Sequence, residues 1–191
     1  MTIDEIKNKL EKTLSKKRFK HSVGVMETAV GLALINDVDR EKAAISGLLH
    51  DCAREVKGNE AFKACEKYGI SIDEISRIQP SLLHGSIGAE IAKEEYGIKD
   101  PHILQAIKYH TTGRADMDML EKIIFIADYI EPGRNFQGVE EARKEAFKNI
   151  DRVILMALDK TISHIIEKKG LIHVDAINAR NFILSNAIKI E

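Results

Sequence analysis

Four side chains in this sequence have the types and placement of metal ligands: His21, the adjacent pair His50-Asp51, and Asp128. The pair closes the run Ala43-Ala44-Ile45-Ser46-Gly47-Leu48-Leu49, an apolar stretch with no structural use for an imidazole beside a carboxylate. Burying the two without partners costs several kcal/mol. Mutual hydrogen bonding inside the core would remove that penalty. So would a divalent cation, because neutral imidazole nitrogen and carboxylate oxygen both ligate zinc, iron or manganese. His21 opens a helical segment near its apolar stripe. Asp128 follows Ile123-Ile124-Phe125-Ile126-Ala127, on the face of Leu120, Ile124 and Ala127, where a lone carboxylate is equally unfavourable. Together these residues give two imidazoles and two carboxylates on three inward-facing helices, a set suited to a first-row metal with positions left for water or substrate.

The elements that must carry them all read as helices. There are three prolines and no strongly alternating segment, so the 3.6-residue period dominates throughout. Asp4 is expected to cap a first helix running to about Lys16. A second from about Lys20 places Val23, Val30, Ala33 and Leu34 on one stripe. Asp39 caps the helix that ends at the His-Asp pair. Short helices follow over Asn59 to Tyr68 and Ser71 to Ile78, separated by Gly69 as a C-terminal cap. Beyond Pro80-Ser81 a helix spans Leu83 to Tyr96 and ends at Gly97. Asp100-Pro101 opens the next, which carries Ile103, Ile107 and His110. A loop at Thr111 to Arg114 leads to a helix over Asp118 to Ile130, stopped by Pro132-Gly133. Three more helices cover Val139 to Asn149, Asp151 to Lys168 and Asp175 to Ile188. The expectation is a single all-α domain, a helical bundle over residues 1–191.

Composition excludes several classes of function. At 191 residues the chain is long enough to bury roughly 70% of its unfolded surface without disulfides. A hydrophobic fraction of 44% and a net charge of −1 predict neither a disordered chain nor a nucleic-acid or membrane surface. No run of about 18 apolar residues suggests a membrane span, and the charged start Met1-Thr2-Ile3-Asp4-Glu5 has no signal-peptide core. Cys52 and Cys65 lack zinc-knuckle spacing and are too few for a disulfide framework, which fits a reducing, cytoplasmic setting. Cys52, one residue past Asp51, is expected to pack rather than ligate. His102, His164 and His173 are expected to be ordinary surface or core histidines, and Met26, Met117, Met119 and Met156 core or boundary residues.

Several segments together resemble the HD-domain metal-dependent phosphohydrolases, whose signature is a His, a His-Asp pair and a distant Asp. More narrowly, the chain resembles the bacterial YqeK group, the symmetrical diadenosine-tetraphosphate hydrolases. The likeness is carried by Arg18-Phe19-Lys20-His21-Ser22, Gly47-Leu48-Leu49-His50-Asp51-Cys52-Ala53-Arg54, His84-Gly85-Ser86-Ile87-Gly88, Tyr109-His110-Thr111-Thr112-Gly113, and Ile126-Ala127-Asp128-Tyr129-Ile130-Glu131-Pro132-Gly133-Arg134. The stretch Ile172-His173-Val174-Asp175 also looks familial, with Val174 standing where a proline is expected.

The resemblance implies an HD-type helical bundle with a metal site between inward-facing helices. It further implies a hydrolase that cuts a dinucleoside tetraphosphate in the middle to give two ADP by attack of a metal-activated water. Iron is the metal it points to, with manganese, cobalt or zinc as other candidates. Asp51 would both ligate and orient the water. The polyanionic substrate calls for cations and donors, for which Arg18, Arg54, Lys57 and Arg134 are candidates, with Thr111 and the backbone N–H of Gly113 in addition. Arg54 and Lys57 follow the His-Asp pair at three-residue spacing, on one side of any continuing helical turn. His84 and His110 admit two roles: ligands of a second metal bridged by Asp51, or phosphate contacts and proton donors to the leaving nucleotide. One ion is preferred at this stage, because a second would find few carboxylates. A mononucleotide phosphohydrolase, an iron oxygenase on the same scaffold and a nucleotide-sensing module without turnover are the competing functions. A homodimer is the expected assembly.

Overall fold

In a computed structural model residues 1–188 are described, and all their regular structure is helical. The elements are α1 (Ile3–Thr13), α2 (Lys16–Ile35), α3 (Arg40–Leu49), α4 (Asn59–Tyr68), α5 (Glu74–Ile78), a 3-10 turn (Pro80–Leu83), α6 (His84–Tyr96), α7 (Pro101–Tyr109), α8 (Met119–Ile130), α9 (Val139–Ala146), α10 (Ile150–Glu167) and α11 (Val174–Ile188). Most boundaries follow from local chemistry. The carboxylates of Asp39, Asp73, Asp100 and Asp118 accept backbone N–H groups at the starts of α3, α5, α7 and α8, while Gly69 and Gly97 end α4 and α6 at φ +64° and +70°.

Three expectations need correction. Asp4 is not the cap of α1: Thr2 is, in a reciprocal capping box with Glu5. The second helix starts at Lys16 rather than Lys20, so Arg18 lies inside it. Cations in a first turn oppose the helix dipole, but burial of Ser22, Val25 and Met26 on the same helix outweighs that local preference. Leu34 is 66% exposed and leaves the apolar stripe, which runs instead through Ser22, Val25, Met26, Ala29, Leu32 and Ala33.

The centre of the molecule is made by α2, α3, α7 and α8. The apolar face of α8 (Ile123, Ile124, Ile126, Ala127) is fully buried, and α10 covers its far side, carrying α9 and α11. A smaller cluster of Ala53, Ala61, Cys65, Leu83 and Ile87 sits beneath α4, with Ile91 packed against both cores. Two glycines set the helix spacing beside the chemistry-bearing residues. A Cβ on Gly47 would lie 2.7 Å from Met26 Cα, and one on Gly85 would lie 2.4 Å from the Lys108 carbonyl oxygen. Both clashes are with backbone, which cannot swing aside. Gly47→Ala is therefore expected to destabilise the protein by about 1–3 kcal/mol despite alanine's better helix propensity, measured as a lowered urea midpoint. An unchanged or raised midpoint would contradict the close α2–α3 approach.

Candidate metal centre and active site

Three of the four site histidines sit where a helix or helical turn ends. His50 follows the last residue of α3, His110 follows the last residue of α7, and His84 follows the 3-10 turn to open α6. A helix leaves its last carbonyls without intrahelical partners. In each case the imidazole uses one: Nδ1–H of His50 donates to the Gly47 carbonyl at 2.7 Å, that of His110 to Ile107 at 2.7 Å, and that of His84 to Ser81 at 2.6 Å, always three residues back. His21, in the second turn of α2, donates through Nδ1 to Glu131 Oε1 at 3.1 Å. With the proton held on Nδ1 in all four rings, every Nε2 presents a bare lone pair.

Those lone pairs converge. His21 Nε2 lies 3.2 Å from His50 Nε2, and His84 Nε2 lies 3.0 Å from His110 Nε2. His21 Nε2 is also 3.0 Å from Asp128 Oδ1. Asp51 stands between the two pairs: Oδ2 is 3.8 and 3.6 Å from the Nε2 atoms of His21 and His50, and Oδ1 is 3.2 and 3.6 Å from those of His84 and His110. His50, Asp51, His84 and His110 are each at most 4% exposed. Facing lone pairs at such distances repel unless a proton or cation lies between them. The donor set, four imidazoles with two carboxylates, fits divalent first-row metals. His21, His50 and Asp51 could hold one ion, with Asp128 Oδ1 beside them at 3.0 Å from His21 Nε2 and 3.9 Å from His50 Nε2, and Asp51, His84 and His110 could hold another; His50, His110 and Asp128 form a third such group.

The titration behaviour follows the same crowding. Burial would raise the Asp51 carboxyl, but the surrounding imidazoles of His110, His84 and His50 hold it far below the usual carboxylate range. Asp128 is likewise held far down, burial being overcome by His21, His50 and Arg134. Burial lowers His50 to about 4 and also lowers His84, while His21 and His110, despite burial, are raised by Asp128 and Asp51 respectively. Cys52 is pushed up to about 12 by burial beside Asp51 and directs its Sγ to the Gly88 carbonyl at 3.4 Å, a packed thiol rather than a ligand.

The expected cations divide. Arg18 donates to Asp51 Oδ2 at 2.6 Å, and Arg134 grips Asp128 through the carbonyl oxygen (2.7 Å) and Oδ1. Arg54 lies 3.1 Å from His84 Nδ1 and shares its acceptor, the Ser81 carbonyl, at 3.3 Å. Lys57 is not brought to the cluster. Its side chain is 75% exposed, pairs loosely with Glu55 and only lines the cavity beside Arg54, because α3 ends before the pair and the chain turns rather than continuing helically. Thr111 Oγ1 is 3.0 Å from His110 Nε2 and 3.2 Å from His84 Nε2, within reach of anything held there. The Gly113 N–H is not available, since it donates to the Tyr109 carbonyl at 2.8 Å and the residue is buried at φ +65°. His102 pairs with Asp118 at the surface, His164 is exposed and His173 lies against Asp73, all apart from the cluster.

Glu131 is the residue that sequence reasoning passed over. It is 5% exposed, and its carboxylate accepts from His21 Nδ1 and from the Gly133 N–H at 2.5 Å, in space that Gly24 leaves open. The available signal was its place three residues beyond Asp128, next to Pro132-Gly133. A carboxylate behind a ligand imidazole fixes its tautomer and raises its basicity. Glu131→Gln is expected to weaken divalent-metal binding about 10- to 100-fold in calorimetric titration with Mn²⁺ while the fold persists. Unaltered affinity would show that Glu131 only packs.

The HD domain family profile matches residues 18–133, from Arg18 through the Pro-Gly stop after α8. The chain is 40% identical over 171 residues to the symmetrical bis(5'-nucleosyl)-tetraphosphatase of Halalkalibacterium halodurans, covering 90% of this chain and 91% of that protein. It is 34% identical over 178 residues to the Bacillus subtilis protein of the same name, covering 93% and 95%. Among solved structures, a Clostridium acetobutylicum protein described as a predicted HD superfamily hydrolase involved in NAD metabolism superposes with a TM-score of 0.94 at 46% identity, over 97% of this chain and 98% of that one. With the His, His-Asp and Asp signature gathered at one centre and relatives matching over nearly the whole length, the chain belongs to the HD-domain family of hydrolases, beside the symmetrical bis(5'-nucleosyl)-tetraphosphatases.

Proposed function

We propose that the protein hydrolyses dinucleoside tetraphosphates, diadenosine tetraphosphate in particular, between the second and third phosphates, with two divalent cations held on either side of Asp51. The observation that carries the two-cation reading is the pairing of bare Nε2 atoms, His21 with His50 and His84 with His110, with one oxygen of Asp51 turned toward each pair. The shortage of carboxylates that favoured one ion is eased by a carboxylate that can serve both. The substrate is carried over from the named relatives. It is supported by Arg18, Arg54 and Arg134 around a centre that must attract a polyanion.

A bound divalent cation supplies Lewis acidity toward a phosphoryl oxygen and brings the pKa of a water from 15.7 toward roughly 7. The protein's own groups do the rest. Arg134 spends two of its five N–H donors on Asp128, and Arg18 one on Asp51, so each fork keeps donors for phosphate oxygens while anchored to a ligand. The Thr111 hydroxyl, between His84 and His110, can orient an oxygen bound there. The buried ring of His50 excludes bulk water from the inner side of the centre.

Iron is the ion we propose, supported by the mixed imidazole and carboxylate set, and elemental analysis of the purified protein tests it. We further propose that the chain works as one domain, since Ile91 packs against both cores, and as a homodimer in the cytoplasm. The free thiols of Cys52 and Cys65 accord with that compartment, and a net charge of −1 with a small-molecule rather than a nucleic-acid partner. Light scattering reads the assembly. Chromatography of the products tests the reaction: diadenosine tetraphosphate should yield ADP alone. ATP with AMP would indicate asymmetric cleavage. Phosphate released from mononucleotides, with the tetraphosphate left intact, would make the protein a nucleotidase and end this reading.

A further inference from the structure

Three cavities open around the ligand cluster. One of about 460 Å³ is bounded by Arg18, Arg54, Val56, Lys57, Pro80 and His84. A second, of about 270 Å³, is bounded by His110, Asp128, Arg134, Phe125, Tyr129 and Phe136. The third, about 750 Å³, lies outside His21 and shares Arg18, Arg134 and Phe136 with the other two. The first two each include one member of the His84–His110 pair, whose Nε2 atoms are 3.0 Å apart. A polyphosphate chain lying across the cluster has one cavity at each end.

The two ends differ in chemistry. The 460 Å³ cavity sets Arg18, Arg54 and Lys57 beside Val56 and Pro80, with Glu55 at its edge, and contains no aromatic side chain other than His84. The 270 Å³ cavity holds a partly buried aromatic pair in a chain whose aromatic content is only 5%. The Tyr129 and Phe136 rings have centroids 4.8 Å apart and are tilted by 47°. Lys160 Nζ lies over one face of the Phe136 ring, 4.5 Å from its centroid, and donates to the Gln137 carbonyl at 2.6 Å. Aromatic rings that keep part of their surface open beside a cationic, ligand-rich centre are what a nucleobase stacks on. The volume lies at the small end for ligand pockets, enough for a base rather than for a whole dinucleotide. The same wall carries the Arg134 guanidinium, hydrogen-bonded to Asp128, so a base, a phosphate contact and a ligand carboxylate meet in one cavity.

We propose that Phe136, supported by Tyr129, is the stacking platform for the nucleobase of one half of the substrate, and that the cavity of Arg54 takes the other half. This rests on the reading of the substrate as a nucleoside polyphosphate. Its test uses metal-loaded protein with ADP and inorganic pyrophosphate as probes, the second reaching the same cations without a base. The sequence contains no tryptophan, so a Phe136→Trp variant carries a single reporter. ADP is expected to quench its fluorescence and pyrophosphate to leave it unchanged. In calorimetry, Phe136→Leu should weaken ADP binding about 10-fold or more and leave pyrophosphate affinity as it was, which also shows that the variant is folded. Equal losses for both probes, or no loss for ADP, would overturn the proposal. So would a loss of ADP affinity in Val56→Ala with none in Phe136→Leu, which would put the base at the opposite end. Failure of the tetraphosphate reading appears separately, as diadenosine tetraphosphate left uncut by the wild-type protein.

Discussion

Asp51→Asn is expected to abolish turnover, by about 10³-fold or more, and to empty the centre of metal at the same time. Asparagine keeps the shape of the side chain, so the neighbouring helices have no steric reason to move, but the negative charge shared by two imidazole pairs is gone. Metal catalysis stabilises developing phosphoryl charge by several kcal/mol, and each 1.36 kcal/mol is tenfold in rate, which sets the expected size of the loss. Elemental analysis and a rate assay on the same sample make the check. Turnover retained in the variant would remove Asp51 from the centre.

Stripping the metal should cost stability as well as activity. The converging lone pairs of His21, His50, His84 and His110 repel in the absence of a cation, and the protein holds them in place with backbone and carboxylate partners. A cation that binds only the folded chain, present at a hundred times its dissociation constant, adds about 2.7 kcal/mol. For a chain of this size 1 kcal/mol moves the midpoint by about 2–4 °C, so chelation should lower Tm by about 5–10 °C, and restoring divalent metal should recover it. The gain should shrink on acidification, because imidazole ligates only when neutral. Scanning calorimetry at two pH values measures both effects. A midpoint indifferent to chelator would mean that no ion occupies the folded protein.

The helices were legible because their ends carry strong local chemistry, such as Asp100-Pro101, Asp118 and Gly97, whereas the start of α2 was not, since its cations argue locally against a helix that burial imposes. His21, His50, Asp51 and Asp128 were legible because polar residues on apolar faces demand partners, and each lies within 4 Å of at least two others of the set. The role of His84 and His110 stayed open in the sequence because it depends on distances between α6 and α7. Lys57 lies at the cavity rim rather than in the cluster because the chain after Asp51 turns instead of continuing helically, and the Gly113 N–H is taken by the Tyr109 carbonyl, neither of which spacing alone reveals. Glu131 was missed because it acts on His21, 110 residues away in the chain, and nothing local marks that contact.

The Nδ1–carbonyl bonds at the ends of α3, α7 and the 3-10 turn bear on how quickly metal exchanges. Each of these three imidazoles is aimed by the helical turn it terminates, so fraying of that turn and loss of the ligand are one event. Helix ends open at far lower free energy than the protein as a whole. Ion exchange at the His84–His110 side should therefore keep pace with amide hydrogen exchange in the last turn of α7, many openings occurring for each global unfolding, while on the other side only His50 is tied to a helix end and His21 is held by a carboxylate.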